Sequence, residues 1–231
     1  MNNLKYKTYI FDLDGTLIDS MNVWKEVDER FLSERGLPMT REYIDKVKSS
    51  AMIDSAKFTV ELYNLNETPE EVMKCWNDMV SKAYREEIKL KPGALDYLNI
   101  LDGKKRSDSE IKLAVATALP YLNAEAVLKA NKILDRFDVI LTLDDLENGI
   151  DKSKPDIYFE VLKRIRDDIG EKEISETVIF EDVYKAAMGA MKGGFDVCAV
   201  FDEVGSANDW TQMQKSTRYA IKNWHEISAF C

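Results

Sequence analysis

Residues 8–20 read TYIFDLDGTLIDS, and the fate of this stretch decides the fold. Thr8–Leu13 is a short run of β-branched, aromatic and aliphatic residues, broken only by Asp12. A run of that length and composition reads as a buried strand. It stops at Asp14-Gly15, a dipeptide that favours a turn. Asp12 and Asp14 stand two residues apart, and along a strand residues i and i+2 face the same side. Two carboxylates can therefore address one site just beyond the strand end.

C-terminal to this stretch the pattern changes. Trp24, Val27 and Phe31 fall at i, i+3 and i+7, a helical spacing. Gly36-Leu37-Pro38 interrupts the chain. Thr68-Pro69-Glu70-Glu71 has the form of a capping box with proline in the first turn. It opens a helix whose Val72, Trp76, Met79, Val80 and Ala83 share a face. No strand pattern occurs between these points, so the segment reads as a small all-helical insert, closed by Leu90-Lys91-Pro92-Gly93.

Strands and helices alternate after residue 93. The pattern predicts strands at Ile111–Thr117, Val139–Thr142, Thr177–Phe180 and Val197–Phe201, and helices at Asn123–Leu134, Pro155–Ile165 and Tyr184–Lys192. Ile157, Val161, Leu162 and Ile165 form the inward face of the second helix. The polar stretch 102–108 reads as a loop or a helix extension. Elements of these lengths in alternation imply parallel βαβ units. The expected fold is α/β: a Rossmann-like, doubly wound parallel sheet over residues 1–18 and 90–231, with an inserted small all-helical cap domain over 19–89.

The bulk properties narrow the function. The 231 residues carry a formal net charge of −10, with 45% hydrophobic and 32% charged residues. An acidic surface is repelled by nucleic acid and by anionic membranes, so neither is expected as a partner. Cys75, Cys198 and Cys231 are far apart and form no CxxC, which argues against a metal–thiolate site or a disulfide framework. The N-terminus has no apolar stretch of the signal-peptide kind, and no run approaches 18 apolar residues. A cytoplasmic protein, monomeric or weakly dimeric, is the expectation.

In open α/β sheets ligands bind beyond the carboxyl ends of the strands. Besides Asp12 and Asp14, those ends offer Thr117, Glu181 and Asp182, while Lys154 precedes Pro155 at a helix start, where anions are favoured. Singly, each has a plainer reading: turn former, helix cap, strand-end hydroxyl, solvated lysine. Together they form a set. Several carboxylates in one place stay ionised only around a cation, and oxygen-only ligands of this kind suit Mg²⁺, which completes its shell with water and substrate phosphate. His225, the single histidine, lies outside the set and reads as structural.

These stretches carry a resemblance. FDLDGT, ATA with Thr117, SKPD with Lys154 and FED with Glu181-Asp182 resemble, in order, the four motifs of the haloacid dehalogenase-like (HAD) superfamily, over residues 8 to about 201. The helical insert resembles the cap of the subgroup containing β-phosphoglucomutases and phosphoglycolate phosphatases. The resemblance implies Asp12 as nucleophile, forming an aspartyl-phosphate, and Asp14 as acid and base. Thr117 and Lys154 would hold phosphoryl oxygens. Asp12, the carbonyl of Asp14, and Asp182 would ligate Mg²⁺, with Glu181 a ligand or its neighbour. Gly15, Thr16, Ala118, and Trp24 and Met52 of the cap would line the substrate site.

Three departures bear on the activity. Val183 stands where many relatives have serine. Trp24 and Met52 stand where the mutase branch places a histidine and an arginine for a second phosphate. Asp14 is the aspartate that true dehalogenases lack. The activity implied is Mg²⁺-dependent hydrolysis of a small phosphorylated metabolite. A sugar-phosphate mutase and a non-catalytic phospholigand-binding protein are the alternatives. The crossings at 16–20 and 89–93 are expected to act as hinges.

Overall fold

Six short apolar runs become strands: β1 (Thr8–Phe11), β2 (Lys112–Thr117), β3 (Val139–Thr142), β4 (Thr177–Glu181), β5 (Asp196–Val200) and β6 (Tyr219–Ile221). The helices are α1 (Val23–Glu34), α2 (Arg41–Val47), α3 (Met52–Tyr63), α4 (Pro69–Glu86), α5 (Ala94–Ser107), α6 (Tyr121–Ala130), α7 (Asp156–Ile165), α8 (Glu171–Ser175), α9 (Tyr184–Lys192) and α10 (Trp210–Ser216). The computed structural model describes residues 5–47, 52–146, 151–166 and 169–229; Cys231 lies outside them. The chain divides into two units, residues 1–21 with 88–231, and residues 22–87.

In the first unit all six strands pair in parallel, in the order β3-β2-β1-β4-β5-β6. Chain order reverses at the β1–β4 neighbours, which makes their carboxyl ends the switch point of a doubly wound sheet. Alternation along β1 fills both faces. Ile10 packs with Ile179, Ala114, Leu141 and Val197 against Ile157, Val161 and Leu162 of α7 and Ala187 and Ala190 of α9. Phe11 points the other way and stacks on Phe180 of β4, with ring centroids 4.7 Å apart. Tyr97 of α5 and Trp224 close this aromatic cluster. Trp224 also donates its indole N–H to the carbonyl of Thr16 at 3.0 Å, so the loop after β1 is tied to the core.

Several elements differ from the sequence reading. The helix expected over Asn123–Leu134 runs from Tyr121 to Ala130 instead. Asn131 turns its side-chain amide to the carbonyls of Val127 and Ile88, and Lys132 takes a positive φ of 57° that ends the helix. The polar stretch 102–107, by contrast, continues α5, the helix extension of the two expected readings. β6 has only three residues, too few to show a period.

Among the described residues the second unit comprises the four helices α1–α4. Thr68 caps α4 as expected: its hydroxyl accepts from the Glu71 N–H, and the Glu71 carboxylate accepts from the Thr68 N–H. Val27 and Phe31 of α1 are buried as expected, together with Leu32, but Val23 rather than Trp24 opens the buried stripe; Trp24 is 44% exposed. An i, i+4, i+8 stripe fits the helical period as well as the i, i+3, i+7 alternative. Among the described residues no helix is long and apolar enough to cross a membrane.

Candidate active site

The register of the sheet builds the site. Phe11 pairs with Phe180, so Asp12 and Glu181 emerge side by side, and the Asp12 N–H donates to the Phe180 carbonyl at 3.0 Å. Asp182 follows at once. Asp12, Glu181 and Asp182 are all buried, and each offers a carboxylate oxygen within 4.8 Å of the others'. Thr117 ends the adjacent strand β2. It is buried, and its hydroxyl oxygen accepts from the Leu119 N–H at 3.1 Å, which leaves the hydroxyl proton free to donate. Asp14 is half-buried and accepts from Ser20 Oγ at 2.5 Å. Gly15 and Thr16 are buried in the same loop, while Ala118 is exposed.

The cation of this cluster is Lys152. Its Nζ lies 2.6 Å from Asp12 Oδ1 and 2.5 Å from Glu181 Oε2, and the residue is buried. Lys154, expected in this place, is exposed. The turn explains the exchange. Asp151 accepts from both the N–H and the hydroxyl of Ser153, and the Lys154 N–H donates back to the Asp151 carbonyl. This tight turn sends Lys152 into the core and leaves Lys154 in solvent. Gly189 on α9 makes the turn possible: a Cβ there would fall 2.2 Å from the Lys152 carbonyl oxygen.

Burial and mutual repulsion dominate the electrostatics. Burial, reinforced by the Asp12 charge, pushes Glu181 up to about 7 despite Lys152. Burial, then the charges of Glu181 and Asp12, push Asp182 up to about 9. Burial works against the Lys152 ammonium, but the charges of Asp12 and Glu181 outweigh it and hold the group well above the ordinary lysine value. One ammonium does not neutralise three carboxylates, so the cluster calls for further positive charge.

The shape of the site agrees with that need. Asp182 Oδ1 accepts from Thr16 Oγ1 at 3.2 Å, but buried Asp182 Oδ2 has no hydrogen-bond partner among the described residues. The oxygen lies between two glycines: a Cβ on Gly15 would fall 2.3 Å from it and one on Gly205 2.1 Å. A buried oxygen without a donor, in a set of hard oxygen ligands, fits a small divalent cation such as Mg²⁺. Glu181 is differently placed. Its Oε2 meets Lys152 and the Tyr158 hydroxyl, and its Oε1 accepts from the Val183 N–H.

Sequence reasoning missed Lys152, Ser20, Tyr158 and Gly205. The one available signal was Gly189, a glycine inside a helix pattern, which marks a close backbone approach. Trp24 and Met52 belong to the second unit, at the start of α1 and α3, Trp24 exposed and Met52 half-buried.

The chain is similar to a phosphorylated carbohydrates phosphatase of Thermotoga maritima, with 27% identity over 218 residues, 94% of each chain. It is 28% identical over 196 residues to the validoxylamine A 7'-phosphate phosphatase of Streptomyces hygroscopicus subsp. limoneus, covering 82% of this chain and 83% of that one. Its fold matches the crystal structure of a Thermotoga maritima protein named as a candidate β-phosphoglucomutase, with a TM-score of 0.79 and 23% identity over 96% of this chain and 97% of that chain. Residues 9–200 match the haloacid dehalogenase-like hydrolases, and because that span runs from β1 to the end of β5 through every member of the carboxylate–lysine cluster, the chain belongs to this family.

Proposed function

We propose that the protein is a Mg²⁺-dependent phosphatase of small phosphorylated metabolites that works through an aspartyl-phosphate on Asp12. The observation that carries this reading is Asp12 itself: a buried carboxylate at the switch point, bonded to a buried lysine and grouped with two further carboxylates. A structural aspartate would not need that company. The phosphatase activity of the two relatives named above supports the same reading.

The residues divide the work as follows. A carboxylate oxygen of Asp12 attacks phosphorus, and the bond to the leaving oxygen breaks. Asp14 gives that oxygen its proton. Asp14 then takes a proton from the water that attacks the aspartyl-phosphate, releasing inorganic phosphate and restoring Asp12. Ser20 orients the Asp14 carboxyl. Lys152 and the Thr117 hydroxyl hold the phosphoryl oxygens, where charge develops during transfer. Glu181, whose oxygens already accept three hydrogen bonds, holds Lys152 rather than the metal. Asp12, Asp182 and the carbonyl of Asp14 would hold Mg²⁺, which when bound offsets the negative charge of the substrate phosphate.

Hydrolysis is favoured over phosphate transfer within a sugar because, by the resemblance, the apolar Trp24 and Met52 stand where the mutase branch has a histidine and an arginine. Neither can bind a second phosphate by charge-assisted hydrogen bonds. The test is phosphate release from an aryl phosphate and a panel of phosphorylated metabolites, with Mg²⁺ and with excess chelator. Asp12→Asn keeps the size and removes the nucleophile, so turnover should fall at least about 10³-fold. Near-normal turnover of this variant, or full activity in chelator, rejects the mechanism. Conversion of β-glucose 1-phosphate to glucose 6-phosphate, primed by the 1,6-bisphosphate and faster than any phosphate release, assigns the mutase activity instead.

A further inference from the structure

A second buried lysine–carboxylate pair abuts the cluster without being part of it. Lys91, just before α5, is 13% exposed at its side chain, and its partner Asp202, in the loop after β5, is 6% exposed. The Lys91 ammonium donates to Asp202 Oδ2 at 2.8 Å, to the Phe201 carbonyl at 2.9 Å and to the Gly15 carbonyl at 2.6 Å. It therefore joins the loop after β1 to the loop after β5.

Asp202 uses its other oxygen to shape its own loop. Oδ1 accepts from the backbone N–H groups of Val204 at 2.8 Å and Gly205 at 2.9 Å. Ser206 Oγ meets the Asp202 backbone at both its N–H and its carbonyl. The result of this clasp is the position of Gly205. It lies so close to Asp182 Oδ2 that a Cβ would fall 2.1 Å from that oxygen. Gly15, held by Lys91, closes the opposite side with a positive φ of 72°.

We propose that Lys91, Asp202 and Gly205 are positioning residues for the divalent-cation site. The clasp presses Gly205 against Asp182 Oδ2, so that Gly205 and Gly15 form a slot that fixes how the Asp182 carboxylate is presented. The inference rests on the reading of Asp12 and Asp182 as metal ligands. A methyl group at either glycine would displace the carboxylate. Loss of the Lys91–Asp202 pair would free both walls of the slot.

The test is calorimetric titration of the metal-free protein with Mg²⁺, alongside thermal unfolding without metal and kcat at saturating Mg²⁺. Asp202→Asn keeps an oxygen acceptor for the Val204 and Gly205 N–H groups and breaks only the pairing with Lys91. Gly205→Ala adds the single methyl group that meets Asp182. Both should weaken Mg²⁺ binding about tenfold or more, the usual effect of losing a residue that orients a metal ligand. Asp202→Asn should recover most of kcat at saturating Mg²⁺, a split that general damage to the fold does not give. Wild-type protein that binds no Mg²⁺ rejects the metal reading itself. Wild-type protein that binds Mg²⁺ while both variants match its affinity overturns the slot. An Asp202→Asn variant that does not fold assigns the pair to stability alone and also overturns it.

Discussion

Lys152 and Lys154 are the same residue type two positions apart, and only one of them meets a carboxylate of the cluster. The difference is burial. Lys152 ends between Asp12 and Glu181, whereas Lys154 ends in solvent. A preorganised cation in a water-poor site contributes far more than one in water. Lys152→Met should therefore lower kcat by about 10²–10³-fold, as removal of a group that stabilises transferring charge does elsewhere. Lys154→Met should change it by less than about twofold, the range of an ordinary surface substitution. Steady-state phosphate release on both variants, with circular dichroism to confirm the fold, decides between them. The reverse ranking would return the role to Lys154. Asp12, Asp14, Glu181 and Asp182 were legible beforehand because each follows an apolar strand at a fixed offset. The lysine was not, because its strand of reference is missing: it lies in a turn whose direction no period records.

Helix α9 shows how an element carries a site that it does not itself form. Its buried face is Ala186, Ala187, Gly189 and Ala190, small residues that let a neighbouring backbone approach. Replacing glycine by alanine inside a helix ordinarily adds about 0.8–1 kcal/mol of stability. At Gly189 the sign should reverse. The new Cβ would fall 2.2 Å from the Lys152 carbonyl oxygen and 2.6 Å from the Ser153 carbonyl carbon, both rigid backbone atoms. Overpacking of that kind costs about 1–3 kcal/mol, and the displaced turn carries Lys152 with it. Gly189→Ala should thus lower both the urea midpoint and kcat. A variant with a raised midpoint and normal turnover would show that the turn is not clamped by α9. The sequence announced this helix by its place in the alternation of strands and helices, but not which of its neighbours the glycine was for.

Across the whole molecule the acidic groups fall into two classes with opposite pH behaviour. Burial would raise Asp202, but the Lys91 ammonium and the Gly205 and Val204 N–H groups outweigh it and hold the carboxyl below the usual range. Burial would also raise Asp196, but Lys5 and the Tyr6 hydroxyl outweigh it in turn. For such groups the stabilisation is fully present above the unfolded value, about 3.9 for aspartate, and is lost as pH falls through the lower folded value. Glu181 and Asp182 run the other way without a cation: their folded values of about 7 and about 9 mean that stability declines as pH rises towards them. Asp202 and Asp196 are the members of this class in which a burial penalty is the largest single influence, and both contribute to the acid limb. The melting temperature of the Asp202→Asn, Asp196→Asn double variant should fall less between about pH 5 and pH 3 than that of the wild type. An equal or steeper fall in the variant would place the acid sensitivity elsewhere. Both pairs link distant parts of the chain, with Lys91 and Asp202 111 residues apart and Tyr6 and Asp196 190 apart.

The sequence by itself determined the family, the parallel α/β sheet, the capped helix α4 and the carboxylates of the candidate site. The family rests on the resemblance of four motifs, and the others rest on local rules: apolar runs that end in turn residues, hydrophobic periods, a proline behind a capping threonine, and two aspartates spaced to share a side. Tertiary structure decided which lysine enters the site, where β6 joins the sheet, which residue opens the buried stripe of α1, and how Gly15 and Gly205 enclose Asp182. Those outcomes depend on which backbones approach and which side chains lose contact with water. Both are set by residues far apart along the chain, from different elements, and no pattern within a short window of sequence encodes that.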